Sequence, residues 1–373
     1  FPSDMTDLQK LEWMLRPPGK GVYTVSTGAG LASSIWKKIY KTTDFQKVTD
    51  GWKESLSKIK SSKIALIGVP SDVGAGIVRG ANMGPIGLRE FLYQDNSFKK
   101  WIKADVVTDV GDIIVIPQLL HDEMLNETQL ERSRKMLYGG DSSARGRLPD
   151  ERLPVSPLSI LKEVTDLLFK LNPKIRILAL GGDHSISWPL IESYAKQVGP
   201  FAILHFDAHT DLLESRLGID YCFGTWAHHA NRVIGGNGRL VQVGIRVSSK
   251  PKAHWEKKEG VKQFWADEIL KNPKKAMADI LEHLHSLNLK NIYISNDIDG
   301  TDMKYAAATG TPEGKGLTPA FISKLIEEVG MQFRVIGGDL VEVAPVLCLN
   351  QRGEPDKTLL VARSYLLKMI EAM

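Results

Sequence analysis

The chain has 373 residues, 43% hydrophobic and 25% charged, the composition of a globular protein with a large core rather than a disordered tail or fibrous repeat. Forty-eight Lys and Arg against forty-four Asp and Glu leave a net charge of +4, too mild an excess over this length to point to nucleic acid or a membrane surface as partner. No run approaches the roughly 20 consecutive apolar residues of a spanning helix, and Phe1-Pro2-Ser3-Asp4 shows no basic segment ahead of an apolar one, so a cytoplasmic location is expected.

Residues 1–60 read as an arm packed on a core domain. Helical patches fall at residues 8–15 and 33–40, separated by Pro17-Pro18-Gly19 and the Gly-rich residues 26–30. The Gly-rich stretch lacks the Lys-Ser/Thr of a phosphate-cradling P-loop and reads as a plain loop. From Lys63 a β-α alternation begins. Apolar runs of strand length cover residues 64–69, 106–110, 175–180, 201–206, 240–245, 261–265, 292–295 and 333–340. Between them lie stretches of helical period, such as Ile160, Leu161, Val164, Leu167, Leu168 and Leu171, or Met277, Ile280, Leu281 and Leu284.

Several strand runs are apolar throughout, as expected of strands covered on both faces, and their connections are long enough for crossover helices. The predicted fold is α/β, a three-layer α/β/α sandwich around a central, mainly parallel eight-stranded sheet. Residues 61–373 form a single domain in this reading. Residues 121–154, with a core-poor stretch at 139–147, read as a surface insertion, and Cys222 and Cys348 as free thiols.

In an open parallel sheet ligands sit beyond the carboxyl ends of the strands, so the residues just after each apolar run are informative. Gly181-Gly182-Asp183-His184-Ser185 comes after the third run and Asp207-Ala208-His209-Thr210-Asp211 after the fourth; Asp297-Ile298-Asp299 comes after the seventh and Glu342 after the eighth. Asp207, His209 and Asp211, two residues apart, share one face of an extended strand end, and Asp297 and Asp299 repeat the spacing. Four aspartates and Glu342 in one cavity would repel by several kcal/mol at an effective dielectric of about 20. Cations must neutralise them. A mixed imidazole and carboxylate set suits Mn²⁺, and less selectively Zn²⁺, Ni²⁺, Co²⁺ or Fe²⁺; six ligands suit two divalent ions better than one.

The competing reading is structural: Gly-Gly-Asp-His alone is also a turn with an Asx cap. Joint occurrence in phase at four strand ends disfavours it. His205, inside a strand run, reads as a satisfied core residue, and His121, His254, His283 and His285 as solvated or capping.

With these motifs the chain resembles the ureohydrolase family, which contains arginase, agmatinase and formimidoylglutamase, and is most similar to its agmatinase-like members. The resemblance is carried by residues 181–185 and 207–211, by Ser295-Asn296-Asp297-Ile298-Asp299-Gly300-Thr301-Asp302, by Gly310-Thr311-Pro312-Glu313 and by Asp339-Leu340-Val341-Glu342-Val343-Ala344-Pro345. Gly68-Val69-Pro70 with Arg79-Gly80-Ala81 and Gly84-Pro85 extends it, so that it covers residues 63–372.

The resemblance implies two metal ions, one held by His184, Asp207, Asp211 and Asp297, the other by His209, Asp207, Asp297 and Asp299. It implies a hydroxide bridging them, the strong nucleophile that a poorly electrophilic guanidinium carbon requires. Asp211 is then the group that orients this nucleophile and passes a proton to the leaving amine, and Glu342 the carboxylate that pairs with the substrate guanidinium. The implied reaction releases urea and an amine, and the implied assembly is a homo-oligomer, a trimer or hexamer.

Two departures from the family pattern bear on the substrate. Phe223 stands where arginases and agmatinases carry a histidine with a proton-shuttle role; His228 and His229 are the nearest replacements in sequence, and Phe223, Thr225 and Trp226 are expected to line the pocket. Leu213 stands where arginases place an Asn that reads the amino-acid end of the substrate, which disfavours L-arginine, since an unpaired charged group in a buried site costs binding. Met303 and Ala307-Ala308 alter a nearby loop. The sequence therefore reads as an agmatinase-like hydrolase of a guanidino or amidine substrate. Guanidine, guanidino acids and formimidoylglutamate are alternative substrates, and a non-catalytic metal-binding family member is the alternative from another class.

Overall fold

The computed structural model describes residues 5–22, 29–76, 78–139, 152–347 and 357–373. Its sheet is built from β1 (Leu15–Arg16), β2 (Ile64–Val69), β3 (Val107–Ile113), β4 (Arg176–Gly181), β5 (Phe201–Phe206), β6 (Leu240–Ile245), β7 (Lys262–Trp265), β8 (Asn291–Asp297) and β9 (Arg334–Val341). In space they run β1-β3-β2-β4-β9-β8-β5-β6-β7. Every pairing is parallel except that of β1, which lies antiparallel to β3 with Leu15 opposite Ile113.

The eight expected strands are all present, and the sheet has a ninth. That correction lies in the arm, where the helix Asp7–Met14 stops and the next two residues turn extended. Two residues are too few to leave a period-2 signal, and Leu15 continued the helical apolar spacing instead. The arm also holds a third helix, Phe45–Ser57, beyond the two expected. Asp44 caps it by accepting from the Lys47 N–H, and Val48, Trp52 and Leu56, four residues apart, form its buried face.

Alternation along the strands creates the layers. On β2, Ala65, Ile67 and Val69 face one core while Ile64 and Leu66 face the other; on β4, Ile177 and Ala179 oppose Leu178 and Leu180. The first core is covered by helices Pro157–Leu171 and Ser187–Gln197, the second by Gly84–Leu92, Pro319–Gln332 and Lys357–Ala372. Ile160, Leu161, Val164 and Leu168 of the expected stripe are fully buried, each such side chain contributing about 1.5–3 kcal/mol.

Leu11, Met14 and Leu15 of the arm belong to the first core, as do Leu130, Tyr138 and Leu153 from the 121–154 segment. That segment carries the helix Glu127–Tyr138; residues 140–147 of its core-poor stretch, residues 26–28 of the Gly-rich loop and Cys348 lie outside the described residues. Cys222 is a buried free thiol. No helix among the described residues is long and apolar enough to cross a membrane.

The connection from β4 to β5 crosses the first core through helix Ser187–Gln197, while that from β8 to β9 crosses the second through Pro319–Gln332. Between these opposed crossovers the carboxyl ends of four neighbouring strands, β4, β9, β8 and β5, are left open, which is where α/β sheets place ligands.

Candidate metal centre

Those four strand ends deliver the acidic and imidazole side chains. After β4, Asp183 accepts from the Ser185 N–H at 2.9 Å and caps a short turn that begins at His184. β8 ends on Asp297, whose Oδ1 accepts from the Asp299 N–H at 2.8 Å. Glu342 comes directly after β9: its N–H donates to the Gly182 carbonyl and its Oε1 accepts from the His184 N–H, both at 2.8 Å. Asp211 and Glu342 are held at φ 50° and 62°, a left-handed conformation that residues with side chains rarely adopt. Such strain costs about 1–3 kcal/mol and persists where surrounding structure enforces it, commonly at functional sites.

All six expected ligands meet. His184 Nδ1 lies 3.2 Å from Asp207 Oδ2, 3.4 Å from Asp211 Oδ2 and 3.1 Å from Asp297 Oδ2. His209 Nδ1 lies 3.4 Å from Asp207 Oδ1 and 3.1 Å from Asp299 Oδ2. Asp207 therefore shows one oxygen to each imidazole and joins two groups of potential ligands.

The donor set fits divalent cations. Ligand bonds of about 2.0–2.2 Å put neighbouring donor atoms about 3 Å apart, the spacing around both Nδ1 atoms. The tautomer required of His184 is also prepared. Ser295 Oγ donates to the carboxylate of Asp339 at 2.8 Å, so it accepts from His184 Nε2 at 2.9 Å, leaving Nδ1 as the nitrogen that faces the carboxylates.

Electrostatics without cations is correspondingly perturbed. Burial and the charge of Asp207 raise Asp211 well above the usual carboxylate range; burial, Asp299 and Asp207 do the same to Asp297. Glu342 is raised by burial and by Asp297 and Asp183. Burial alone would also raise Asp207, but hydrogen bonds from His184, His205 and His209 hold it well below the usual range. Burial disfavours a charged His209, yet Asp299 and Asp207 outweigh it and push the imidazole up to about 12. A cation would replace these site protons.

Several further residues contribute whose contacts with the cluster the sequence does not specify. Within the Gly310–Glu313 motif, Thr311 Oγ1 donates to Asp299 Oδ2 at 2.9 Å, and Glu313 Oε1 lies 3.9 Å from His209 Nε2. Arg246 clamps this loop to the turn after β8, donating to the carbonyls of Asp299 at 2.6 Å, Glu313 at 3.0 Å and Gly314 at 2.9 Å. His205 is buried and satisfied, as expected, but its partner is Asp207 Oδ2 at 2.8 Å.

The segment after Tyr221 divides in its contacts. Trp226 is fully buried, stacks on His184 with ring centroids 4.4 Å apart, and donates Nε1–H to Asp211 Oδ2 at 3.0 Å. Phe223 borders a neighbouring cavity and Gly76. Thr225 is turned into its own loop, its hydroxyl donating to the Asp220 carbonyl at 2.7 Å. Neither candidate shuttle histidine turns its ring to the cluster: the His228 backbone N–H donates to the Asp211 carbonyl at 3.3 Å, but its Nδ1 pairs with Glu259 Oε2 at 3.0 Å, and His229 Nε2 pairs with the Asp220 carbonyl at 2.8 Å.

A model of the arginase family matches residues 62–370. The chain belongs to the arginase family. It is 32% identical over 319 residues to the mitochondrial guanidino acid hydrolase of Homo sapiens, a match covering 83% of this chain and 78% of that one. It is also 32% identical over 322 residues to the agmatinase of Bacillus cereus, covering 85% and 94%. The solved structure of formimidoylglutamase from Bacillus subtilis matches with a TM-score of 0.64 at 24% identity, covering 83% of this chain and 86% of that one, a likeness of fold. The protein is thus an enzyme of the ureohydrolase family, hydrolases of guanidino substrates. Family members use a binuclear metal centre, and the His/Asp cluster described above can bind metal.

Proposed function

We propose that the protein hydrolyses the C–N bond of a guanidino substrate by agmatinase-like chemistry, releasing urea and an amine. One observation supports this most: Asp207 presents separate oxygens to His184 and His209, beside a Glu342 carboxylate tied to the His184 backbone. The residues suited to one divalent ion are His184, Asp207, Asp211 and Asp297; those suited to a second are His209, Asp207, Asp297 and Asp299. Mn²⁺ fits this mixed set best. Bound there, divalent ions would supply a nucleophile at neutral pH by making a water more acidic.

The chain's own groups do the rest. Glu342 pairs with the substrate guanidinium, an encounter that favours its ionised form despite its burial. Asp211, raised by burial and by Asp207, is suited to take a proton as water adds to the guanidinium carbon. It returns that proton to the amine nitrogen as the C–N bond breaks, and the proton left on the former water oxygen passes to the freed amine, so urea and an alkylammonium ion leave and the substrate's positive charge is conserved. Trp226 orients Asp211 throughout.

L-arginine is disfavoured because Leu213, 44% exposed, offers no polar partner to an α-amino acid end. A homo-oligomer, trimer or hexamer, is part of this reading. The test is to load the purified protein in turn with Mn²⁺, Ni²⁺ and Zn²⁺ and to measure urea, ammonia and formamide from a panel of guanidino and formimidoyl compounds. Urea from a guanidino compound other than L-arginine is expected. No product with any metal would remove the enzymatic proposal, and fast urea release from L-arginine would remove the argument from Leu213.

A further inference from the structure

The metal-centre end of the site is crowded with carboxylates, whereas the cavity beside it is not. This cavity, about 440 Å³, is walled by residues that include Leu119, Leu120, Met124, Leu125 and Phe223, and among the described lining residues it has one charged side chain, Arg216. The Arg216 guanidinium stands over the Phe223 ring, 4.9 Å from its centroid. No carboxylate among the described residues pairs with it. A guanidinium held over a ring face keeps N–H donors for an anion.

The cavity and the metal centre share their wall. Phe223 N–H donates to the Gly74 carbonyl at 2.9 Å, and Gly74 is packed so tightly on Ser185 and Asp183 that a Cβ there would stand 2.5 Å from Ser185 Oγ. Those two residues flank His184. Burial raises the Cys222 thiol, and the charges of Asp211 and Arg216 both act on it with opposite sign, so one residue lies within reach of both ends of the site.

We propose that Arg216 receives the carboxylate of an ω-guanidino acid whose guanidinium pairs with Glu342, making guanidino acids rather than guanidino amines the substrate class. This rests on the guanidino-hydrolase reading above. The apolar walls accommodate the methylenes between the two charged ends. Agmatine, with an ammonium at its far end, meets a like charge at Arg216 and no carboxylate to offset it.

The test uses the full Mn²⁺-loaded chain with guanidinoacetate, 3-guanidinopropanoate, 4-guanidinobutanoate and agmatine, measuring urea release for wild type, Arg216→Ala and Arg216→Glu. The wild type is expected to prefer at least one acid over agmatine by about tenfold or more in kcat/KM, the equivalent of one well-placed charge pair. Arg216→Glu is expected to raise KM for that acid at least about tenfold with a far smaller change in kcat, and to move the preference toward agmatine. The wild-type KM for the acid, unlike that for agmatine, rises with salt, because Arg216 is exposed and its charge is screened. Urea from agmatine but from no acid, or an acid-to-agmatine ratio unmoved by Arg216→Glu, overturns the inference and leaves the guanidino-hydrolase reading standing. Urea from none of the four, nor from any other guanidino compound, overturns both.

Discussion

His205 Nε2 donates to Asp207 Oδ2 across 2.8 Å, from a ring whose other nitrogen is occupied. The direction of this bond is set far from the site. Trp265 Nε1, which can only donate, bonds Gln263 Oε1 at 2.9 Å; Gln263 Nε2 donates to Gln242 Oε1 at 2.8 Å; Gln242 Nε2 donates to His205 Nδ1 at 3.0 Å and to the Thr210 carbonyl at 2.7 Å. A donor at Nδ1 leaves the ring proton on Nε2. His205 lies close enough to His184, Asp207 and Asp211 to resemble a fourth ligand, but its Nε2 carries a proton and orients Asp207 instead.

Reversing one link of that chain should therefore weaken metal binding without touching a ligand. Gln242→Glu replaces the donor at Nδ1 by an acceptor, which draws the ring proton to Nδ1 and turns the bare Nε2 toward Asp207. A loss of about 10–100-fold in metal affinity is expected, the usual effect of disturbing a partner of a ligand. Metal-competition titration measures it, with Gln242→Leu as a control that removes the donor without adding charge. Wild-type affinity in Gln242→Glu would leave the donor chain without a role.

Asp207 and Asp211 should differ in what their loss removes. Asp207 gives one oxygen to the His184 group and the other to the His209 group, whereas Asp211 faces His184 alone. Metal analysis after dialysis is expected to find both ions lost from Asp207→Ala and one retained in Asp211→Ala. Asp297→Ala should weaken both, since Oδ2 faces His184 and Oδ1 holds the backbone of Asp299. Two tightly held ions in Asp207→Ala would contradict the shared-carboxylate geometry.

Metal binding should strengthen with pH. In the metal-free protein His209 is raised to about 12 from an unfolded value near 6.5. Its contribution to stability is therefore complete below pH ~6.5 and is lost as pH rises toward 12. Asp211 and Asp297, also raised, act with the same sign. Asp207 is lowered and acts only in the acid range; His121, His205 and His229 are lowered by burial and act below about pH 6.5. Between pH 7.5 and 9 the metal-free chain is expected to lose thermal stability, and the metal dissociation constant to fall by up to about tenfold per pH unit for each proton displaced. Scanning calorimetry of the metal-free chain reads the first, and calorimetric titration with metal in buffers of different ionisation enthalpy reads the second. A dissociation constant that stays flat across this range would show that no site proton is displaced.

The sheet and the meeting of acids and imidazoles at its strand ends were legible because each rests on a short local pattern: an apolar run ending in acids two residues apart. The illegible part depends on distant pairings or on backbone angles. His205 was readable as buried and satisfied, but Asp207 as its partner is fixed by Gln242 on β6 and by Gln263 and Trp265 on β7. Thr311 and Glu313 reach the site because Arg246 ties their loop down. Asp211 and Glu342 adopt left-handed angles with no glycine to announce them. Closeness in sequence also misled: Trp226 faces His184, but on the helix Trp226–Val233 residues two and three positions later are turned about 200° and 300° around the axis. That rotation carries the rings of His228 and His229 to Glu259 and Asp220.

Trp226 offers a separation of packing from hydrogen bonding at the proposed proton carrier. Its indole fills a fully buried space against His184, and its N–H is the donor on Asp211 Oδ2. Trp226→Phe keeps an aromatic ring on the imidazole and removes the donor, so metal content should stay near that of wild type. A hydrogen bond to a charged group contributes about 1.5–3 kcal/mol, which sets the expected fall in kcat at about 10- to 100-fold. Without its donor the ionised form of Asp211 is less favoured, so the acid limb of the kcat profile should move to higher pH. Unchanged kcat together with an unmoved acid limb would mean that Trp226 acts only as filling for the site.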